Sequence, residues 1–222
     1  MSDTPALAIL FDVDNTLFDN DAVKADLSAR LDNLIGSPAS AAYWQHYETL
    51  RSELGHSDFL GTFQRCWEAS DRDPRWLPAA ALLLDYPFAE RLYPGVTDLL
   101  DTLGQNHVTG IVSDGDGVLQ PRKITRSGLW EAVAGRVLIY QHKQHCLDDV
   151  ARRIPAQHYV FVDDKVRLLD AIKQQWGERV TTVFVRQGHY AHDPEQTRGC
   201  AADITIDTIA ELTDKMHDHG TA

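Results

Sequence analysis

The sequence predicts an α/β fold: a parallel sheet with helices on both faces and an all-helical segment inserted after the first strand. Three observations carry this reading. An apolar run from Leu7 to Phe11 ends abruptly on Asp12 and Asp14, the pattern of a short buried strand. Residues 20–88 then show only helical periodicity. After Gly95 short apolar runs alternate with helical patterns, the rhythm of strand–helix–strand crossovers in a parallel sheet. A chain of 222 residues, 43% hydrophobic and 24% charged, accommodates one substantial α/β domain plus a small insert.

The elements follow in order. Val23, Leu27, Leu31, Leu34 and Ile35 recur at steps of three or four, and Gly36-Ser37-Pro38 stops that first helix. A second helix is expected from Ala39 to Leu54, ended by Gly55. Ser57 is read as the N-cap of a third, with Phe59, Leu60, Phe63, Cys66 and Trp67 along one side. Asp73-Pro74 opens a fourth through about Leu84. This places a helical cap domain at residues 20–88, with the α/β core domain formed by residues 1–19 and 89–222.

In the second part a helix from Val96 is stopped by Gly104. Strands are expected at 107–112, 136–140, 159–162 and 180–185, with a short edge strand at 204–206. Helices are expected at 121–127, 144–154, 165–176 and 208–217, with a loop over 188–199. Ser113-Asp114-Gly115-Asp116 is read as a polar turn after its strand. Internal repeats and low-complexity linkers are absent.

The chemistry-bearing residues sit at the ends of these strands. Asp12 and Asp14, one residue apart at a strand end, face one crevice because side chains alternate with period two. Like charges that close repel and raise one pKa unless a cation lies between them. The pair therefore points to a hard divalent ion, Mg²⁺, beside a carboxylate nucleophile and a carboxyl acid/base. An EF-hand loop is set aside: counted from Asp12, its required Gly and Glu positions hold Leu17 and Val23. Three further clusters follow predicted strands: Ser113/Asp114, Lys143 and Asp163/Asp164. In an open α/β sheet such strand ends meet at one crevice.

Composition narrows the partners. A formal charge of −12 argues against a nucleic-acid backbone, which needs a basic face. No apolar run approaches the ~20 residues of a membrane span, and the N terminus lacks the basic n-region of a signal peptide. Cys66, Cys146 and Cys200 are widely spaced and odd in number, forming neither a disulfide framework nor a zinc pattern. A cytoplasmic location is expected. His142, His145, His189 and His192 invite a zinc site, but the aspartates supply the harder ligands suited to Mg²⁺.

The strand running into Asp12-Val13-Asp14-Asn15-Thr16 resembles the first motif of the haloacid dehalogenase (HAD) superfamily. Ile111-Val112-Ser113-Asp114-Gly115 resembles the second motif, the lysine of Tyr140-Gln141-His142-Lys143 the third, and Val160-Phe161-Val162-Asp163-Asp164 the fourth. Order and spacing match over nearly the whole chain, implying a Rossmann-like parallel core with a helical cap. The resemblance implies Asp12 as nucleophile, Asp14 as general acid/base and Lys143 between nucleophile and substrate. It also implies that the Ser113 hydroxyl and the Asp114 backbone N–H hold phosphoryl oxygens. The metal would lie on the Asp12 carboxylate, the Asp14 backbone carbonyl and Asp163, with Asp164 as a direct or water-mediated ligand. Helix capping is the alternative for Asp164. Lys123 is a rival for the lysine role; Lys143 is preferred because it follows a strand, whereas Lys123 lies inside a predicted helix.

True haloacid dehalogenases in the superfamily carry another residue at the position of Asp14, so Asp14 favours phosphoryl transfer. The expected activity is Mg²⁺-dependent hydrolysis of a small organic phosphate monoester through an aspartyl-phosphate. A phosphotransferase or mutase on the same scaffold, a 2-haloacid dehalogenase, or a non-catalytic binding protein are the alternatives. Specificity is expected from the cap and the first loop, with Phe18, Asn20, Tyr43, Trp44, Tyr47, Arg51, Arg65 and Trp67 as candidates. An arginine pointing into the cleft would favour a substrate with a second anion. Oligomeric state is left open.

Overall fold

A computed structural model describes residues 4–218. Residues 1–3 and 219–222, assigned to the core by sequence, lie outside the described residues. The chain runs β1 (Leu7–Phe11), α1 (Asn20–Ile35), α2 (Ser37–Leu54), α3 (Phe59–Ala69), α4 (Ala81–Leu84) and α5 (Val96–Gly104). It continues with β2 (Val108–Asp114), α6 (Leu119–Arg126), α7 (Leu129–Ala132), β3 (Val137–Tyr140) and α8 (Leu147–Arg153). The last part is β4 (His158–Asp163), α9 (Val166–Trp176), β5 (Val180–Val185), α10 (Gly188–Ala191), α11 (Pro194–Thr197), β6 (Ile204–Ile206) and α12 (Leu212–Asp218).

The six strands form one parallel sheet in the order β3-β2-β1-β4-β5-β6. The order in which strands are added reverses about β1, which pairs with β2 on one side and β4 on the other. Both faces are covered, so the strands alternate between two cores. Ile9, Phe11, Val160 and Val162 pack on the face that holds α5 and the inserted helices. Ala8, Leu10, Tyr159 and Phe161 pack on the face that holds α8 and α9. This is the Rossmann-like α/β architecture with a helical insert.

The inserted helices bury their apolar stripes in continuity with the sheet. Val23, Leu27, Leu31 and Ile35 of α1, four residues apart, are all buried in the same cluster as β1. Tyr43 and Tyr47 of α2 pack on Phe63 and Phe59 of α3 with ring centres 4.6 and 4.8 Å apart. Their hydroxyls donate to the Phe59 carbonyl and the Ser57 hydroxyl. Both tyrosines are therefore interior groups of the insert.

Local differences from the sequence expectation have local causes. Pro38 opens α2 instead of ending α1, because a helix's first turn has no use for its missing N–H. The cap of α3 is Asp58, not Ser57: its carboxylate accepts from the N–H of Gly61 at 2.7 Å. A side chain at Gly61 would collide with that carboxylate, 2.2 Å from Oδ2. The expected helix at 73–84 is only a 3₁₀ turn at Pro74–Trp76 and the single turn α4, since Pro78 lacks the N–H a continuous helix would need. Strand β2 runs two residues further than expected, and Ser113 and Asp114 pair with Ile139 and Tyr140 of β3. They lie in the strand, not in a turn after it. Within the expected loop 188–199 lie the short helices α10 and α11.

Candidate active site

The site grows from the reversal point of the sheet. Asp12 continues β1 by one residue, its N–H bonding to the Val162 carbonyl at 2.9 Å. Its neighbours at the carboxyl edge are Ser113 of β2 and Asp163 of β4. The loop beyond Asp12 folds back tightly, with the N–H groups of Thr16, Leu17 and Phe18 all directed at the Val13 carbonyl. Asn15 sits in the left-handed region at φ 59°, and its side-chain oxygen accepts from the N–H groups of Asn20 and Asp21. That conformation suits asparagine's short polar side chain, and it turns the chain from the sheet into α1.

Lys143, in a 3₁₀ turn after β3, is fully buried. Its Nζ lies 2.5 Å from Asp12 Oδ1, 2.6 Å from Asp163 Oδ2 and 3.1 Å from the Val112 carbonyl. Burial pulls the ammonium's pKa down, but the carboxylates of Asp12 and Asp163 outweigh it and hold the group above its ordinary range. The Ser113 hydroxyl donates to Asp12 Oδ1 at 3.3 Å. The Asp114 carboxylate is occupied by the Lys143 backbone N–H at 2.7 Å, which fixes the turn carrying that lysine.

Asp12, Asp163 and Asp164 are all buried, and each offers an oxygen within 4.8 Å of the others'. Asp163 Oδ1 accepts from the Lys165 N–H at 2.8 Å. Asp164 caps nothing: both its oxygens lack a hydrogen-bond partner, as does Asp12 Oδ2. Burial first, and Asp163 second, push the Asp164 carboxyl well above the usual carboxylate range. Three buried carboxylates outnumber the two lysines that act on them, Lys143 and Lys165, and buried oxygens without partners are costly. An all-oxygen donor set of this kind fits a hard divalent cation. Among the described residues no histidine belongs to the cluster, and His189 instead pairs with Asp21 at 2.7 Å.

The Asp14 side chain stands apart from the carboxylate cluster, 28% exposed. Its Oδ1 is 2.5 Å from Lys123 Nζ, and Gln120 reaches Oδ2 at 3.4 Å and the Ser113 hydroxyl at 3.0 Å. Lys123 is buried even though it lies inside α6, so both candidate lysines reach the site, each on a different aspartate. Gln120 and Lys165 are further site groups that the motifs did not single out. Asp14, Lys123, Gln120 and Lys165 line a cavity of about 170 Å³, whose other wall is Lys24, Arg51 and residues 55–57 and 59 of the insert. Of the specificity candidates, Arg51 and Asn20 line this cavity. Arg65 instead pairs with Glu53 at the surface, and Phe18, Tyr43 and Tyr47 are buried.

The chain is similar to known proteins over most of its length. The profile of the haloacid dehalogenase-like hydrolases matches residues 7–175. A haloacid dehalogenase-like hydrolase of Burkholderia xenovorans LB400 is 51% identical, with TM-score 0.92 over 98% of this chain and 100% of that one. The HAD-hydrolase YfnB of Bacillus subtilis, solved with magnesium bound, is 19% identical, with TM-score 0.66 over 96% of this chain and 99% of its own. The L-2-haloacid dehalogenase of Xanthobacter autotrophicus, with chloropropionic acid covalently bound, is also 19% identical, with TM-score 0.59 over 97% and 99%. The last two show the shared fold alone. No curated protein matches significantly. With its profile match spanning three quarters of the sequence and a close relative aligned end to end, the chain belongs to the haloacid dehalogenase-like hydrolases.

Proposed function

We propose that the protein is a Mg²⁺-dependent phosphatase acting on small organic phosphate monoesters through an aspartyl-phosphate on Asp12. The observation that supports this best is the second carboxyl, Asp14, positioned at the cavity by Lys123 and Gln120. An alkoxide leaving group needs a proton to depart, whereas a halide does not, so an acid/base at this point serves phosphate ester cleavage. Asp12 Oδ2, free of hydrogen bonds, attacks phosphorus, and the bond to the ester oxygen breaks as Asp14 delivers a proton to it. Asp14 then takes a proton from water, whose oxygen attacks phosphorus and releases the Asp12 carboxylate and inorganic phosphate.

Lys143 neutralises Asp12 and Asp163 so that a dianionic phosphate can approach. The Ser113 hydroxyl and the Asp114 backbone N–H hold phosphoryl oxygens. Mg²⁺ would be held by Asp12, Asp163, Asp164 and the Asp14 carbonyl. When bound it supplies charge neutralisation for the phosphoryl oxygens. Residues 20–88 act as the cap over this site. No helix among the described residues is long and apolar enough to cross a membrane, and the three free thiols suit a reducing cytoplasm.

The test is hydrolysis of an aryl phosphate with Mg²⁺ and with EDTA. Turnover that needs the metal, together with little halide release from a 2-haloacid, is expected. Metal-independent turnover, or halide release exceeding phosphate release, would overturn the reading.

A further inference from the structure

The cavity has cations on its cap wall that the proposed chemistry does not use. Lys24 of α1 and Arg51 of α2 both line it. The carboxylates lining the same cavity are already engaged. Asp14 holds Lys123, Asp114 accepts the Lys143 N–H, and Asp116 accepts the N–H groups of Val118 and Leu119. Asp21, one turn before Lys24, is taken by His189. Lys24 makes no ion pair or hydrogen bond among the described residues, and its ammonium lies 5.6 Å from the centre of the Tyr47 ring. Arg51 bonds to the Tyr190 hydroxyl, and its ion pair at 3.4 Å is with Glu48, a side chain 64% exposed. Burial and the neighbouring guanidinium push the Lys24 ammonium below its ordinary range. Two like charges facing one small cavity repel, and an anion placed between them relieves the repulsion.

We propose that Lys24 and Arg51 form a second anion site, so that the preferred substrates are small phosphate monoesters carrying a further carboxylate or phosphate. This rests on the phosphatase reading and narrows it. The transferred phosphoryl group is handled by Asp12 and Asp14, of which Asp14 lines the cavity, and the second anion sits on the cavity's cap side. A volume of about 170 Å³ lies below the ~300–1,000 Å³ typical of sites for drug-sized ligands, so the two anions belong to one short molecule.

The experiment is equilibrium titration of the full chain, in Mg²⁺, with three hydrolysis-resistant alkyl phosphonates. They share one chain length and end in a carboxylate, a second phosphonate or a neutral amide. At least one anionic-ended probe is expected to bind about 10-fold or more tightly than the amide, and the two anionic arms show which terminus is preferred. Lys24→Met and Arg51→Met should each remove most of that preference, and Lys24→Arg should retain it; thermal melts check that each variant folds. Equal binding of the amide, no binding of any probe, or unchanged selectivity in both methionine variants would overturn the proposal. The phosphatase reading fails separately: absence of aryl phosphate turnover counts against it whatever the probes do. Continued turnover with no anion preference removes only the second site.

Discussion

Asp164→Asn separates a metal ligand from a structural carboxyl. Both Asp164 oxygens are buried without hydrogen-bond partners, beside Asp163. A carboxyl whose folded pKa is raised binds its proton more tightly in the folded state. Its contribution to stability therefore falls as pH rises from the ordinary value of 3.8 up to the elevated folded value, by about 1.4 kcal/mol per unit of elevation. The metal-free wild type should lose stability from this source as pH rises, and the variant should show a flatter profile. An asparagine amide has no charge to bury and can donate to the carboxylates around it. Relieving one unsatisfied buried group is worth about 1–3 kcal/mol, or a rise of roughly 4–8 °C in Tm for ~2 kcal/mol in a chain this size. Saturating Mg²⁺ should reverse the ranking. At 100 times Kd the wild type gains about 2.7 kcal/mol, and the variant gains much less. Thermal melts with EDTA and with MgCl₂ across pH 5–8 measure all of this. A variant less stable than wild type in EDTA, or one that keeps the full Mg²⁺ shift, would refute the reasoning.

Three further outcomes follow from the same geometry. Asp12→Asn should abolish aryl phosphate turnover while far-UV circular dichroism stays native, because Lys143 keeps its pairing with Asp163. Lys123→Met should lower kcat by about 10²-fold with a smaller change in KM, since it leaves the acid/base unpositioned; Lys123→Arg should restore part of the loss in steady-state kinetics. Gly188→Ala should destabilise by about 2 kcal/mol or more in urea unfolding. Its φ is +69° and a Cβ there would lie 2.4 Å from Asn15 Cβ, so the loop behind Asp14 would shift and kcat would fall too.

Much of the fold is legible because the strands are short apolar and β-branched runs bounded by polar residues. Val180–Val185 is found as read, and Leu7–Phe11 leads directly to Asp12. What was not legible depended on contacts across the chain or on single turns. Pro78 breaks a helix whose start looked sound, and α10 and α11 are each four residues long, too short to show a period. The positions of Asp12, Lys143, Asp163 and Asp164 followed from their place after strands. Lys123 ranks below Lys143 by sequence because it lies in a helix, yet Leu119, Gln120, Lys123 and Ile124 form the buried stripe of α6. A lysine on an apolar helical stripe needs an acidic partner, and that was the readable sign. Which aspartate it would meet was set by sheet order alone. Lys24 gave no such sign, since its cavity exists only once α1 packs over the sheet edge.

The most direct measurement is chemical trapping of the covalent intermediate. The protein is mixed with an aryl phosphate and Mg²⁺, quenched within one turnover, reduced with borohydride and mapped by peptide mass spectrometry. Reduction confined to residue 12, and absent in EDTA, is the expected result. No modified residue during active turnover, or a modification elsewhere in the chain, would contradict a phosphoryl group carried by Asp12.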